Sequence, residues 1–290
     1  MSPLRFAAPG KVVLLGEYAV LDGSPALVAA VPSGVSVSVT WNDQPMQIAT
    51  PHGDDRFVRA ALEHSGITRG TWTFADHLPP DTRTKPGLGG SAAATVVAVW
   101  AAHTVLNRRA SRHEVFEAAR TVHHQVQGSG SGIDVAASVW GGALRYAMHH
   151  APVPIPPFPV TVVWSGASAK TGPRVDQYRA WSPREDFVAA SRHAVMLAAS
   201  DPVAAFQLNY DALCTMAAAA GIAYQTPELD AIVQIARTHG GAAKPSGAGG
   251  GDCAVATFRD AESHLAFCRE VAHEGFSLIA NTMAAGVGAL

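Results

Sequence analysis

The stretch Lys85-Pro86-Gly87-Leu88-Gly89-Gly90-Ser91-Ala92-Ala93-Ala94 limits what this chain can fold into more than any other. It runs straight into an alanine and valine segment over 95–102, so a loop of bare backbone is expected to open a well-buried helix. Free N–H groups at a helix start point outward with the positive end of the macrodipole behind them, and glycines let a ligand approach the main chain. That describes an anion site, with phosphate as its natural occupant. No Gly-Lys-Ser/Thr closes the loop, and no dinucleotide fingerprint with a ribose-binding acid follows it. A lone glycine turn would read as packing before a core helix. Ser91 at the mouth and Lys85 before it favour phosphate, although Lys85 reads equally as a solvated charge.

With 290 residues and 48% hydrophobic content, the chain can bury a large core and is long enough for two domains. Strands are expected over 12–20, 35–39 and 71–75, and Asp54 is placed to cap a helix running to His64 before Gly66 stops it. Ser111 and Glu114 form a capping box for a helix reaching Gly128. A glycine-serine loop over 128–132 then leads into Ile133-Asp134-Val135-Ala136-Ala137, an apolar segment with one carboxylate, before a strand over 143–148. The proline-rich run 152–159 shows no helix or strand pattern and sets the boundary, giving domains 1–155 and 156–290. Beyond it come a strand over 160–164, a capping box with proline at the first helical position in Ser182-Pro183-Arg184-Glu185, and helices started by Asp201, Thr226 and Asp260. Strands over 254–258 and 276–280 flank the last helix. Strands and paired helices in each half predict an α+β fold of two domains.

Composition excludes several functions. A formal charge of −2 with 15% charged residues leaves no basic nucleic-acid footprint, so a small neutral or anionic ligand is expected. Cys214, Cys253 and Cys268 are too few and scattered for a disulfide framework or a zinc site, which suits a cytoplasmic protein. Neither a signal peptide nor a membrane span is expected. Among the 13 histidines, His113-Glu114 lacks the second histidine of a metalloprotease helix, and His123-His124 and His149-His150 are adjacent rather than on one helical face. They read as surface or packing residues.

Three glycine-rich stretches carry polar groups: Pro9-Gly10-Lys11 with Gly16-Glu17-Tyr18, the loop at 85–94, and Lys244-Pro245-Ser246-Gly247-Ala248-Gly249-Gly250-Gly251-Asp252. In this order they resemble the galactokinase, homoserine kinase, mevalonate kinase and phosphomevalonate kinase superfamily, the GHMP kinases, over nearly the whole chain. The resemblance implies an N-terminal domain like the second domain of ribosomal protein S5 and a ferredoxin-like C-terminal domain, with ATP and substrate between them. Ala8-Pro9-Gly10-Lys11 and Ser131-Gly132-Ile133-Asp134 look like the isoprenoid kinases of the mevalonate pathway. Trp140-Gly141-Gly142-Ala143-Leu144-Arg145-Tyr146 looks like mevalonate kinase, whereas residues 16–21, 130–137 and Gly249-Gly250-Gly251-Asp252-Cys253 look like phosphomevalonate kinase. Mevalonate kinases usually follow the catalytic aspartate with asparagine and carry a metal-binding glutamate in the preceding helix. This chain has Val135, and 121–127 holds no carboxylate. Gly90 stands where both families usually have serine.

By this resemblance Lys11 and Asp134 are the catalytic pair, and Lys85, Gly87, Leu88, Gly89, Gly90, Ser91 and Ala92 bind ATP, with Ser91 contacting Mg2+ or a phosphate. Lys11, Glu17, Tyr18, Ser131, Gly132, Lys170, Ser246, Gly247, Ala248, Gly249 and Asp252 are expected around the acceptor, the last five on a loop that closes over the reacting phosphates. The expected reaction is ATP-dependent phosphorylation of 5-phosphomevalonate, with the mevalonate hydroxyl as the alternative acceptor and a pseudokinase or decarboxylase further off. Monomer and homodimer remain equal expectations.

Overall fold

The computed structural model describes residues 3–77, 86–169, 171–280 and 283–290. The first sheet is built by β1 (Leu4–Leu15), β2 (Ala26–Pro45), β3 (Gln47–Ala49) and β4 (Arg69–His77), with helix α1 (Arg56–His64) between β3 and β4. Then follow α2 (Gly90–Val105), α3 (Arg112–Gln127), α4 (Ile133–Trp140), β5 (Ala143–Tyr146) and β6 (Val153–Ile155). The second half contains β7 (Thr161–Trp164), α5 (Thr171–Ala180), α6 (Glu185–Leu197), α7 (Pro202–Ala220), α8 (Pro227–Thr238), β8 (Ala242–Pro245), β9 (Cys253–Thr257), α9 (Ala261–His273), β10 (Ser277–Ala280) and β11 (Gly288–Ala289).

The first sheet runs β11-β1-β2-β4-β3, with β5 beside β2 and β6 beside β5, and the second runs β10-β7-β9-β8. β11 returns from the far end of the sequence to pair antiparallel with β1, at Phe6↔Ala289 and Ala7↔Gly288. Alternation in β2 buries Val35, Val37 and Val39 while Ser36 and Ser38 stay half-exposed, as a two-residue side-chain period requires. α2 is apolar on every side, and Val96, Val97, Val99 and Ala101 lose all solvent contact, the pattern of a helix enclosed by protein rather than laid on a surface.

β1 and β2 bury both faces. Phe6, Ala8, Val13 and Val28 pack with α2 and α4 in one core, while Val12, Leu14, Leu27 and Ala29 join Val162, Phe206 and Val255 of the second sheet and α7 in another. The two halves therefore share an apolar core directly behind β1. A strand that must be hydrophobic on both sides reads as a continuous apolar run, which is why 12–15 shows no alternation.

Several sequence expectations change in detail. β1 starts at Leu4 and stops at Leu15, and a short 3-10 turn over Ala19–Asp22 replaces the rest of the expected strand. Asp55 holds the N-cap position of α1 without a side-chain cap bond, while Asp54 Oδ1 accepts from Arg56 N at 3.3 Å and the Asp54 carboxylate takes the Arg56 guanidinium at 2.9 and 2.8 Å. The proline-rich run contains β6, an edge strand that proline tolerates because its outer side needs no donor. Ser182 caps nothing: α6 begins at Glu185 after Arg184, and the Ser182-Pro183 peptide is cis. α5, β8 and β11 were not anticipated. The capping box of α3 and the Asp201, Thr226 and Asp260 caps form as expected.

Candidate active site

Lys11 lies inside β1 rather than before a strand. Its backbone N–H donates to Leu88 O at 2.8 Å, so the glycine loop ahead of α2 is docked onto the strand. Gly10 makes this possible, because a Cβ there would stand 2.1 Å from Ser33 O and 2.6 Å from Leu88 O. The Lys11 ammonium, nearly enclosed, reaches Gly87 O at 3.4 Å and Asp134 Oδ2 at 3.8 Å. Asp134 occupies the first turn of α4, whose start is set by Gly132 in the left-handed region. The two residues join at Gly89, whose Cβ position lies 3.0 Å from Lys11 Cγ and 3.6 Å from Asp134 Oδ2. Gly89 is also the left-handed cap of α2, so the helix start, its unpaired amides, the lysine and the carboxylate meet at one point.

This point opens into a cleft of about 1040 Å³ lined from both halves of the chain. Gly87, Leu88, Gly89, Gly90 and Ser91 line it, as do Glu17, Tyr18, Ser131, Gly132, Ser246, Gly247, Ala248 and Asp252. Ala92 does not, since it is wholly buried in the core. Leu88, which lines the cleft, is also buried in the core behind β1. Gly249 lies away from the cleft against the Tyr224 ring. Lys85 and Lys170 lie outside the described residues.

Ser91 and Ser246 are both engaged. Ser91 Oγ sits 3.1 Å from His123 Nε2 on α3, and the His123 ring also stacks on Phe57 at 5.2 Å. Burial lowers the His123 pKa, against the pull of Asp134, so the ring presents a neutral imidazole to the serine. His123 is thus a cleft residue, not the surface or simple packing residue expected. A lone histidine on an amphipathic helix carries no spacing signal. Ser246 Oγ accepts from Val13 N at 2.9 Å and donates to Val13 O at 3.1 Å, which ties the third glycine loop to β1. Tyr18 adds a second tie, its hydroxyl donating to Ala248 O at 2.7 Å.

Asp252 lines the cleft beside Gly87, the residue whose carbonyl takes the Lys11 ammonium. Its Oδ1 accepts from Ala169 N at 3.0 Å, and its carboxylate fills the space that a side chain on Gly87 would need. Burial raises its pKa, opposed by the Ala169 hydrogen bond and by Lys11 and Arg174. Glu17 is 3% exposed and bound to Lys244, the first residue of the third glycine stretch. Among the described residues no group of three or more His, Cys, Asp or Glu is arranged to hold a metal ion, and no helix is long and apolar enough to cross a membrane.

Two family descriptions match the chain: GHMP kinases N terminal domain over residues 56–142 and GHMP kinases C terminal over residues 198–275, together more than half of its length. A phosphomevalonate kinase of Streptomyces sp. is 29% identical across 92% of this chain and 91% of its own. A mevalonate kinase of Archaeoglobus fulgidus is 28% identical across 93% and 97%. The structure of Streptococcus pneumoniae phosphomevalonate kinase in complex with phosphomevalonate and AMPPNP superposes with a TM-score of 0.82 at 19% identity, covering 100% of both chains. That last likeness is one of fold.

Proposed function

Since the chain belongs to the GHMP kinases and has their two-domain α+β fold, we propose that it transfers the terminal phosphoryl group of ATP to (R)-5-phosphomevalonate, giving (R)-5-diphosphomevalonate. The observation that carries this reading is the meeting of Lys11, Asp134 and the α2 helix start in one cleft. Phosphoryl transfer asks little covalent work of a protein: it needs an aligned nucleophile and fixed positive charge around the moving group. Amides of the 87–92 loop, backed by the α2 dipole, would hold the ATP phosphates. Lys11 would neutralise the charge passing between donor and acceptor, and also offset the repulsion between Asp134 and two phosphates.

The residues present suit a magnesium ion carried in on ATP rather than a resident metal. Magnesium keeps most of its waters and takes few protein ligands, and the cleft offers the Ser91 hydroxyl with Asp134 and Asp252 but, among the described residues, no three-residue cluster. When bound it would add neutralisation of phosphate charge. Ser91, oriented by His123, is the proposed contact.

Two features favour a phosphate acceptor. The α3 segment 121–127, which brings His123 to Ser91, holds no carboxylate where the resemblance to mevalonate kinases implies a metal-binding glutamate, and Asp252 reaches into the cleft. A phosphate with second pKa about 6 is largely ionised at neutral pH, so Asp134 then orients it more than it deprotonates it. The mevalonate hydroxyl is the second reading, supported by the segment 140–146 and by the near-equal likeness to the archaeal mevalonate kinase. Retention of both Lys11 and Asp134 argues against a ligand sensor. ADP release measured with mevalonate, 5-phosphomevalonate and 5-diphosphomevalonate decides among them: turnover confined to 5-phosphomevalonate is expected, and turnover confined to mevalonate overturns the acceptor.

A further inference from the structure

Glu17 and Lys244 make an ion pair with side chains 2% and 0% exposed, at the seam between the two halves of the chain. Lys244 Nζ donates to Glu17 Oε1 and to Pro245 O at 2.9 Å, and lies 5.9 Å from the Phe206 ring. The other Glu17 oxygen accepts from Asn209 Nδ2 at 3.1 Å, and Gly247 N points at Oε1 from 3.4 Å. Asn209 Oδ1 in turn accepts from Gly16 N at 3.4 Å. Both carboxylate oxygens of Glu17 are therefore taken by protein donors, and a free negative charge here would repel a phosphate ligand. Substrate binding by Glu17 does not fit this arrangement.

We propose that Glu17 and Lys244 are a positioning pair that fixes the third glycine loop, residues 246–252, against the end of β1. Lys244 is the residue of β8 two positions before that loop, and Glu17 lies two positions after β1. Their bond joins the two segments, as do the Ser246 to Val13 and Tyr18 to Ala248 hydrogen bonds. The consequence is a fixed placement of the Asp252 carboxylate against Gly87, beside the Lys11–Gly89 point. This makes the loop a pre-set wall rather than a flap that must close. Charge explains why the pair is ionic. Burial lowers the Lys244 pKa and Glu17 works against that shift, so each charge is tolerable only with the other present.

The inference rests on the kinase reading for its kinetic arm but not for its structural one. Lys244→Met alone strands the Glu17 charge and should lower Tm, whereas Glu17→Leu with Lys244→Met removes both charges at similar volume and should recover most of it. In that double variant, hydrogen exchange should rise selectively in the amides of 246–252. Turnover should fall on the order of a hundred-fold, the cost of a displacement near 1 Å, while ATP affinity by calorimetry stays at the wild-type level. Lys244→Arg keeps the charge and should retain more turnover and more loop protection than Lys244→Met; it also serves if the double variant does not fold. Wild-type loop exchange and turnover in the double variant, or equal loop exposure in Lys244→Arg and Lys244→Met, overturns the positioning role. A Glu17→Leu protein whose acceptor KM rises with kcat unchanged overturns it in favour of direct binding. Loop exchange is read on the protein alone, so a wrong acceptor cannot imitate either result.

Discussion

A Cβ on Gly89 would stand 3.0 Å from Lys11 Cγ, and the residue holds φ of 75°. Gly89→Val therefore strains the backbone, pushes on the lysine and blocks the helix start in one change. The expected outcome is loss of ATP binding by calorimetry in a protein that remains folded; unchanged affinity would remove this loop from the nucleotide site. Gly90 is a sharp contrast, with ordinary φ and nothing within 4 Å of its Cβ position, so Gly90→Ser should fold and keep ATP affinity. Lys11→Ala leaves Asp134 uncompensated beside phosphate, and turnover should drop about a hundred-fold or more. A variant within a few-fold of wild type, with native circular dichroism, would make Lys11 a bystander. That Lys11 and Asp134 come together was legible because each sits in a glycine-bounded motif. His123 and Lys244 were not, since their meaning comes from partners 32 and 227 positions away. Glu17 was legible as a member of the first glycine stretch but its buried partner Lys244 was not, because a motif does not show which atoms a carboxylate faces.

At the scale of elements, caps were the most readable signal, because a cap is a contact over three residues. Ser111 with Glu114 and Asp201 before Pro202 set their helices as the sequence implied. β11 and β8 were unreadable for the opposite reason: two and four residues long, they are strands only because β1 and β9 offer them partners. α2 supplies a pH test. His103 in its last turn has a buried Nδ1 with no hydrogen-bond partner among the described residues, and its pKa is lowered, first by burial and then by Arg108, against Glu114. Above an unfolded pKa of about 6.5 both states are neutral. As pH falls through that value the unfolded chain takes up the proton and the folded one resists it, so stability is lost on the acid side. His103→Leu should remove that part of the loss, and Tm followed from about pH 7 to pH 5 should fall less steeply than in wild type. Parallel curves would mean the ring is not resisting protonation.

The whole molecule is organised around a strand shared by two cores, and this decides how the acceptor question can be asked. The two-domain plan was visible through the three glycine stretches, but not the double burial of β1, which depends on the second sheet packing behind Val12 and Leu14. Because that core backs Lys11 directly, a conservative change at Asp134 on α4 should leave the seam intact and report on chemistry. An alcohol must lose its proton during attack, so Asp134→Asn should be nearly dead on mevalonate at every pH. A phosphate acceptor ionises near pH 6 without help, and above that value it needs orientation more than a base. Wild type should prefer 5-phosphomevalonate, and Asp134→Asn should keep measurable turnover between about pH 7 and 8 with a profile set by the substrate's own ionisation. Loss of all turnover on 5-phosphomevalonate in a folded Asp134→Asn protein would give the carboxylate a role as base that a pre-ionised nucleophile does not require. Robust use of mevalonate alone by the wild-type enzyme would transfer the site to the alcohol substrate, leaving the cleft, the lysine and the helix start in the same places.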